Sequence, residues 1–273
     1  MKEINLVFGS GGYIASNWKK NCVNKNFIFI SKNKCDLTKL TEVKRLFKDY
    51  LNFKISIFMI SAITRTMEDN KKTKLINIKM VENLVSVSMR YNISYFLFLS
   101  STDIFSNKAK KPIKENSLIN PTTYYAQYKY YAEKILKRNF RSDQLCIIRI
   151  PGIFGGKNDK KSTIFNIYKS IKKNSYQFSN VIRSYIFIND LVNFLNQLSE
   201  SKLCKIINFC DNRYYTINEL YGYFFAIMKI KYVINEDNIK KKNLDIFFDN
   251  DNLKKYFPYF KFTSINLSLK TFI

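Results

Sequence analysis

The chain has 273 residues, 46% of them hydrophobic, and its 46 Lys and Arg against 21 Asp and Glu give a formal charge of +25. This length and composition can bury a full globular core. Because the sequence contains no histidine, Ser–His and Cys–His nucleophile schemes are excluded, and proton transfer must use Tyr, Lys, Asp, Glu, Cys or Ser. We expect a cytoplasmic protein with no metal, since no apolar run could span a bilayer and the five cysteines lack zinc-site spacing.

The excess of lysine raises the binding of nucleic acid or an anionic membrane as a rival function. The lysines are, however, spread over the whole length of the chain rather than gathered in one basic stripe. We therefore expect neither nucleic acid nor membrane as a partner. A positive surface favours instead the capture of a small phosphorylated substrate.

The first predicted element is a buried strand, Ile4 to Phe8, which is followed by a glycine-rich loop and by a helix from Tyr13 to Asn21. This order builds a cradle for a pyrophosphate, because glycine allows close backbone approach and the first N–H groups of the helix face the anion. Ala15 is small enough for the helix to pack closely on the strand. The predicted phosphate contacts are Gly9, Gly11, Gly12, Tyr13 and Ile14.

Apolar runs then alternate with helical segments, which is typical of a doubly wound parallel α/β sheet. We predict a Rossmann-type domain over residues 1–150, completed by about 181–212, and a smaller, discontinuous substrate lobe over 151–273. Thr216 and Glu219 have capping-box spacing and predict the start of a late helix. The further predicted strands are Phe27–Ile30, Ile55–Ile60, Tyr95–Leu99, Leu145–Ile150, Ser184–Ile188 and Ile206–Phe209, and the helical stripes are Leu40–Tyr50 and Ile76–Val85.

Tyr125 and Lys129 lie four residues apart in a predicted helix, so their side chains share one face. An ammonium close to a phenol lowers the phenol's pKa from about 10, which predicts that Tyr125 is an acid–base group near neutral pH. The spacing alone does not single out this pair. Two other pairs have it, Tyr50/Lys54 and Tyr130/Lys134.

A cluster of hydroxyl side chains, Ser100 to Thr102, follows the predicted strand Tyr95–Leu99 at its carboxyl end, where open α/β sheets place their ligands. Together with the Gly9–Ala15 loop, this cluster resembles the extended short-chain dehydrogenase/reductases, the NAD-dependent epimerase/dehydratase superfamily that modifies nucleotide sugars. Asn77 resembles the Asn that opens the family's fourth helix. Further similar segments are Cys35–Thr38, Ile60–Ala62, Arg149–Gly155 and Arg183–Asp190.

The resemblance implies that Ser101, Tyr125 and Lys129 are catalytic. Ser101 would hydrogen-bond a sugar carbonyl or hydroxyl, Tyr125 would exchange its proton, and Lys129 would hold the nicotinamide ribose. Asp103 is a candidate extra acid–base group, with capping of the strand end as the alternative. In the family's dehydratases an Asp-Glu pair occupies the positions of Thr102 and Asp103, so dehydration is disfavoured. The implied substrate contacts are Ser101, Thr102 and Arg183.

Cofactor choice depends on the end of the second strand, where NAD-preferring proteins place an acid and NADP-preferring proteins accommodate the 2′-phosphate with a cation. Ser31 and Lys32 follow that strand, and no acid precedes Asp36. NADP(H) is therefore favoured, with Ser31 and Lys32 as phosphate contacts, and NAD(H) stays open. The resemblance adds further dinucleotide contacts: Asp36, Leu37, Ser61, Ala62, Tyr125, Lys129 and Ile150.

These features predict NADP(H)-dependent reduction of a nucleotide-linked keto-sugar, of the 4-ketoreductase type, in deoxysugar or surface-polysaccharide biosynthesis. An NAD-retaining nucleotide-sugar 4-epimerase stays open, since it uses the same Ser, Tyr and Lys. A remoter alternative is a family member that senses dinucleotide or binds nucleic acid without catalysis. The resemblance also implies a homodimer that forms through a four-helix bundle including the Tyr125 helix.

Overall fold

A parallel β-sheet forms the centre of the computed structural model, which describes residues 1–22, 26–106, 108–156, 159–232 and 247–273. The strands in chain order are β1 Lys2–Phe8, β2 Phe27–Ile30, β3 Phe53–Met59, β4 Ile93–Ser101, β5 Leu145–Ile150, β6 Gly152–Phe154, β7 Ile182–Arg183, β8 Tyr185–Phe187, β9 Ile206–Asn208 and β10 Tyr215–Thr216. The central sheet has six strands in the order β2-β1-β3-β4-β5-β9. Parallel pairing of β1 with β2 and β3, and of β3 with β4, confirms the predicted Rossmann-type architecture.

The position of β1 determines where this sheet can bind a ligand. β2 and β3 pair with opposite edges of β1, so the strand order reverses at β1. In open α/β sheets the crevice outside the carboxyl ends of the strands at such a reversal is the usual ligand site. The loops that follow β1 and β3 therefore border the candidate site.

The helices include those predicted from the apolar stripes. The first helix of the chain begins and ends at the predicted residues. The capping box at Thr216 is also confirmed, because its hydroxyl accepts the Glu219 N–H while the Glu219 carboxylate accepts the Thr216 N–H. In the described chain the α-helices are α1 Tyr13–Asn21, α2 Leu40–Lys48, α3 Lys71–Ser88, α4 Tyr124–Asn139, α5 Thr163–Lys172, α6 Ile188–Ser201, α7 Ile217–Met228, α8 Asp251–Tyr256 and α9 Ile265–Leu269, with 3-10 helices at Thr102–Ile104 and Lys270–Phe272. Across the described ranges, no helix has both the length and the apolar character needed to cross a membrane.

Packing on the central sheet explains why its strands are so apolar. Trp18 of α1 is fully buried against the edges of the Phe27, Phe29 and Phe58 rings, and its indole N–H donates to Asn196 Oδ1 at 2.6 Å. A larger core cluster contains residues of α2, α3 and α4 together with strand residues such as Phe8. Helices on a sheet that is buried on both faces favour continuous apolar strands over alternating ones.

The chain divides into two compact units. The first contains residues 1–106, 119–149 and 195–207, and the second contains 107–118, 150–194 and 208–273. The second unit includes residues 107–118, 150, 181–194 and 208–212, which the prediction placed in the Rossmann-type domain. Residues 157–158 and 233–246 of the predicted lobe lie outside the described residues. In the second unit β6 pairs in parallel with β8, and β7 pairs antiparallel with β10. The strand predicted at Ser184–Ile188 therefore appears as β8, in a small sheet of its own.

Candidate active site

The loop after β1 depends on Gly9 for two reasons. Its φ of +102° lies in the region that disfavours L side chains, and a Cβ placed there would lie 2.8 Å from the Ser61 Cα. The Gly9 N–H donates to Ile30 O at 3.0 Å, and the Gly12 N–H donates back to Gly9 O at 2.8 Å. Gly9 thereby connects the carboxyl ends of β1, β2 and β3 through close backbone contacts.

The start of α1 fits a pyrophosphate. A Cβ placed on Gly11 meets no atom within 4 Å, so that side of the loop is open. The helix begins on Gly12 with no side-chain cap and no acidic residue in its first turn. By contrast, α3, α4, α5 and α7 each begin on a side chain that accepts a backbone N–H. The positive end of α1 is thus open to an anion, which is what the phosphates of a dinucleotide require.

The loop after β2 exposes a lysine, while the carboxylate of its acidic residue forms hydrogen bonds within the loop. Lys32 is 80% exposed and lies 3.7 Å from the Asp36 carboxylate. That carboxylate accepts the Thr38 N–H at 2.9 Å and the Thr38 hydroxyl at 2.7 Å. Although partial burial opposes them, these bonds hold the pKa of Asp36 below its usual value. The Asp36 carboxylate is therefore used to turn the chain toward α2.

The loop after β3 is held in place by Asn77. Its amide donates to Ile63 O at 2.9 Å, and its oxygen accepts the Ile63 N–H at 2.8 Å. The expectation that Asn77 opens a helix is wrong, because α3 begins at Lys71 under a capping box formed by Asn70 and Thr73. From inside α3, Asn77 fixes the loop that follows Ser61 and Ala62.

Lys129 is buried beneath the end of β4. Its side chain reaches Leu99 O, to which the Nζ donates at 2.5 Å, and the same Nζ lies 5.5 Å from the centre of the Tyr125 ring. Burial lowers the pKa of Lys129 to about 7, against the opposing effect of the Glu133 charge. α4 therefore brings Tyr125 and Lys129 together and fastens them to β4.

The electrostatics of Tyr125 differ from the prediction. Burial, followed by the charge of Asp103, raises the pKa of the phenol, while Arg65 opposes the rise. The expectation that Lys129 lowers this pKa is wrong, because desolvation of the phenol dominates and desolvation also disfavours the charged ammonium. The phenol accordingly holds its proton at neutral pH.

Ser101 lies where β4 passes into the short 3-10 helix. Its hydroxyl oxygen accepts the Asp103 N–H at 3.1 Å and caps that helix. Since the hydroxyl acts as an acceptor in this bond, it retains its proton for donation. Ser101 and Thr102 are both buried, whereas the Asp103 side chain is 38% exposed.

A buried ionic network beneath these residues was missed by sequence reasoning. Glu133 accepts two hydrogen bonds from Arg149, at 2.9 and 2.7 Å, and one from the Ser100 hydroxyl at 2.7 Å. Both charged side chains are almost completely buried. The network joins α4 to the ends of β4 and β5 and so holds the helix that carries Tyr125. The available signal was the position of Glu133, four residues after Lys129 on the same helical face.

Arg65 was also missed. Its guanidinium lies 3.4 Å from the Asp103 carboxylate in an ion pair whose two side chains are 52% and 38% exposed. The sequence signal was weak: Arg65 simply follows β3 by a few residues, at the edge of the sheet where ligands bind.

Most predicted site residues lie in the first unit, at the carboxyl ends of β1 to β4 and on α4. They are Gly9, Gly11, Gly12, Tyr13, Ile14, Ser31, Lys32, Asp36, Leu37, Ser61, Ala62, Ser101, Thr102, Asp103, Tyr125 and Lys129. Ile150, the buried last residue of β5, is grouped with the second unit. Arg183 also belongs to the second unit, where it pairs with Tyr215 between β7 and β10. In the described part of the chain, no group of three or more His, Cys, Asp or Glu side chains could hold a metal ion.

Comparison with known families gives this site its context. The model of the "NAD dependent epimerase/dehydratase family" matches residues 5–208, which is most of the chain. The chain belongs to this family. The resemblance stated from the sequence is thereby confirmed.

Individual relatives are distant. A putative UDP-glucose 4-epimerase of Methanocaldococcus jannaschii is 24% identical over 156 residues, which are 54% of this chain and only about half (51%) of that relative's length. The structure of the Bordetella bronchiseptica enzyme WbmH in complex with NAD+ superposes with a TM-score of 0.83 at 15% identity, covering 99% of this chain and 97% of that one. The dTDP-4-dehydrorhamnose reductase of Bacillus anthracis in complex with NADP gives 0.79 at 15% identity, covering 100% and 99%. At these identities, the structural matches establish the fold.

Proposed function

We propose that the protein is an NADP(H)-dependent reductase of a nucleotide-linked keto-sugar, of the 4-ketoreductase type, which acts in the cytoplasm in deoxysugar or surface-polysaccharide biosynthesis. The observation that carries this proposal is the arrangement of α4. Tyr125 and Lys129 share one face of that helix, and Lys129 bonds to Leu99, two residues before Ser101. These three side chains supply a hydrogen-bond donor, a proton donor and a cation at the carboxyl end of a parallel strand.

Each side chain has a defined task in the reduction. When bound, the dinucleotide supplies the hydride that reduces the carbonyl carbon. Ser101 donates its hydroxyl proton in a hydrogen bond to the carbonyl oxygen and stabilises the negative charge that develops there. Tyr125 gives its phenol proton to the same oxygen and so completes the product hydroxyl. The raised pKa of Tyr125 suits this direction, because the phenol is protonated at neutral pH.

Several loops would hold the dinucleotide. The open end of α1 would take the pyrophosphate, and exposed Lys32 with Ser31 would take a 2′-phosphate, which favours NADP over NAD. Asp36 keeps its carboxylate on Thr38, which also supports NADP, since an acid for the ribose 2′-hydroxyl is then lacking from this loop. The full proposed set is Gly9, Gly11, Gly12, Tyr13, Ile14, Ser31, Lys32, Asp36, Leu37, Ser61, Ala62, Tyr125, Lys129 and Ile150.

The substrate is proposed to be a nucleotide sugar. Two similar proteins are named as enzymes that act on nucleotide sugars. The sugar is linked to UDP in one name and to dTDP in the other. Arg183 would pair with the diphosphate, and Thr102 would contact the sugar beside Ser101. A homodimer through the face of α4 belongs to the same proposal.

Replacement of one oxygen atom tests the assignment. We expect Tyr125→Phe to lower turnover of a nucleotide-linked keto-sugar by at least about 100-fold, because the proton donor is lost, while the thermal unfolding midpoint changes little. The matched control is Tyr130→Phe, since Tyr130 has a lysine at the same spacing, with the Lys134 Nζ 4.5 Å from its ring. The control should keep full turnover. Retention of activity within about tenfold in Tyr125→Phe would contradict the acid–base role.

An NAD-retaining 4-epimerase is the second candidate, and the name of the Methanocaldococcus relative favours it. It would use the same Ser101, Tyr125 and Lys129. Oxidised NAD that stays bound through purification, together with interconversion of two sugar epimers and no consumption of NADPH, would identify this activity. Binding of oligonucleotides that falls steeply with salt, without any turnover, would instead identify a non-catalytic binding protein.

A further inference from the structure

One ion pair beside the proposed proton donor has no place in the reaction described above. Arg65 Nη1 lies 3.4 Å from Asp103 Oδ2, and both groups act electrostatically on the Tyr125 phenol, with opposite signs. Because the two side chains are 52% and 38% exposed, such a pair contributes little to folding stability. Its position next to Tyr125 therefore requires a different explanation.

The loop that carries Arg65 is fastened at both ends. Asn77 bonds twice to the backbone of Ile63 on one side. On the other side Asp69 accepts the Tyr125 N–H at 2.8 Å, and Asn70 caps α3. Between these anchors the N–H groups of Met67 and Glu68 donate to Thr64 O in a closed turn that contains Arg65. These bonds thus fix the position of the Arg65 backbone relative to the start of α4.

In the described part of the chain, charged and titratable groups of three elements act on Tyr125 or contact it. Lys129 and Tyr128 come from α4 itself, Asp103 comes from the 3-10 helix, and Arg65 comes from the loop after β3. Asp69 bonds to the Tyr125 backbone. The Lys129 Nζ donates to Leu99 O. Arg65 is the cation that opposes the effect of Asp103 on the pKa of the Tyr125 phenol.

We infer that Arg65 is a positioning residue for the reaction, which neutralises the Asp103 carboxylate beside the Tyr125 phenol. Without Arg65 the carboxylate faces the phenol with its full charge, and formation of the phenolate, which proton donation requires, becomes harder. Asp103 then acts through Tyr125 rather than on the sugar. This inference rests on the proposed function only in naming Tyr125 as the proton donor.

A double-mutant cycle tests the coupling. We expect Arg65→Gln to raise the pH at which Tyr125 loses its proton by about 0.5 to 1 unit, and Asp103→Asn to lower it by a similar amount. These shifts are smaller than those between buried charges, because both side chains are partly exposed. The double variant should return close to the wild-type value, because the two charges act on the phenol with opposite signs and both are then removed. Arg138→Gln, an exposed change on α4 that removes the same charge, is the control and should shift nothing.

Two readouts keep the inference separate from the proposed function. The first is the fluorine NMR titration of a fluorinated tyrosine placed at position 125, whose phenol ionises at lower pH and needs neither cofactor nor substrate. The second is the pH profile of keto-sugar reduction. A wild-type protein that reduces no keto-sugar would overturn the proposed function, while the NMR titration would still decide the inference.

Three results would overturn the inference itself. The first is an unchanged titration in Arg65→Gln. The second is a shift in Arg65→Gln that persists in full after Asp103→Asn is added, because Arg65 would then act on the phenol without the carboxylate. The third is a change confined to KM in Arg65→Gln that the second substitution does not alter, because Arg65 would then bind substrate directly.

Discussion

Lys129 shows how burial changes the chemistry of one residue. Its Nζ lies 4.7 Å from the centre of the Phe98 ring and 5.2 Å from that of the Tyr128 ring, and the residue is only 2% exposed. Aromatic faces and one carbonyl oxygen replace only part of the hydration of an ammonium. The side chain is therefore retained at a cost to stability, which is typical of a group kept for its function.

The pH dependence of stability tests this cost. Below about pH 7, Lys129 is charged in both states, and its burial destabilises the fold in full. Between about 7 and the ordinary value of 10.5 the charge persists only in the unfolded chain, so the cost falls as the pH rises. We expect Lys129→Met to stabilise the protein most below about pH 7, on the order of 2 kcal/mol, and progressively less above it.

Urea unfolding of wild type and variant across this pH range measures the effect. The control is Lys134→Met, an exposed change that should alter the free energy of unfolding by less than about 0.5 kcal/mol at every pH. A difference between Lys129→Met and wild type that does not vary with pH would show that Lys129 keeps an ordinary pKa in the folded protein.

The location of this site could be predicted from the sequence, but its electrostatics could not. Tyr125 and Lys129 are neighbours on one helix, so the helical repeat alone places them together. The groups that shift the pKa of Tyr125 are its own burial, Asp103 and Arg65. The two charges lie far from it along the chain, and burial depends on the tertiary fold. For the same reason the partners of Glu133, in β4 and β5, were not predictable.

At the scale of elements, the loop from β1 to α1 combines two kinds of glycine. Gly9 is required by the fold, because its φ is positive and its Cα faces the backbone of Ser61. Gly11 has open space where a side chain would lie. Gly9 thus holds the strands together, while Gly11 leaves room for a ligand.

A pair of alanine substitutions distinguishes these roles. We expect Gly9→Ala to destabilise the protein by about 2 kcal/mol or more, through backbone strain and the contact with Ser61. Gly11→Ala should change stability by less than about 0.5 kcal/mol while weakening dinucleotide binding, because its methyl group occupies the open side of the loop. Thermal unfolding and equilibrium dialysis measure the two effects. Equal stability of the two variants would contradict this account of the loop.

Secondary structure was predictable wherever a local pattern determines it. The apolar runs gave the strands of the central sheet, and the Gly12–Tyr13 boundary gave the start of α1. Which strands pair with each other was harder to predict, because an apolar run does not identify the strand beside it. β8 therefore pairs with β6 in a separate sheet, although its sequence resembles that of a core strand.

At the scale of the whole molecule, the family is established over residues 5–208, and residues 209–273 of the second unit lie beyond that match. Within that unit only Arg183 has a proposed contact with the substrate. The charge of +25 follows from lysines distributed along the whole chain and agrees with a phosphorylated ligand. In the proposed function, Ser101, Tyr125 and Lys129 of the first unit carry out the reaction, and Arg183 of the second unit binds the substrate.

The central claim is that the purified protein transfers hydride from NADPH to a nucleotide-linked keto-sugar. The most direct measurement follows NADPH absorbance and the nucleotide sugar, by mass spectrometry, in the same reaction. Our account predicts oxidation of NADPH in equal molar amount to the hydroxyl-sugar formed, with NADH used less well. Oxidised NAD that copurifies with the protein, with no NADPH consumed on any nucleotide-linked keto-sugar, would contradict it.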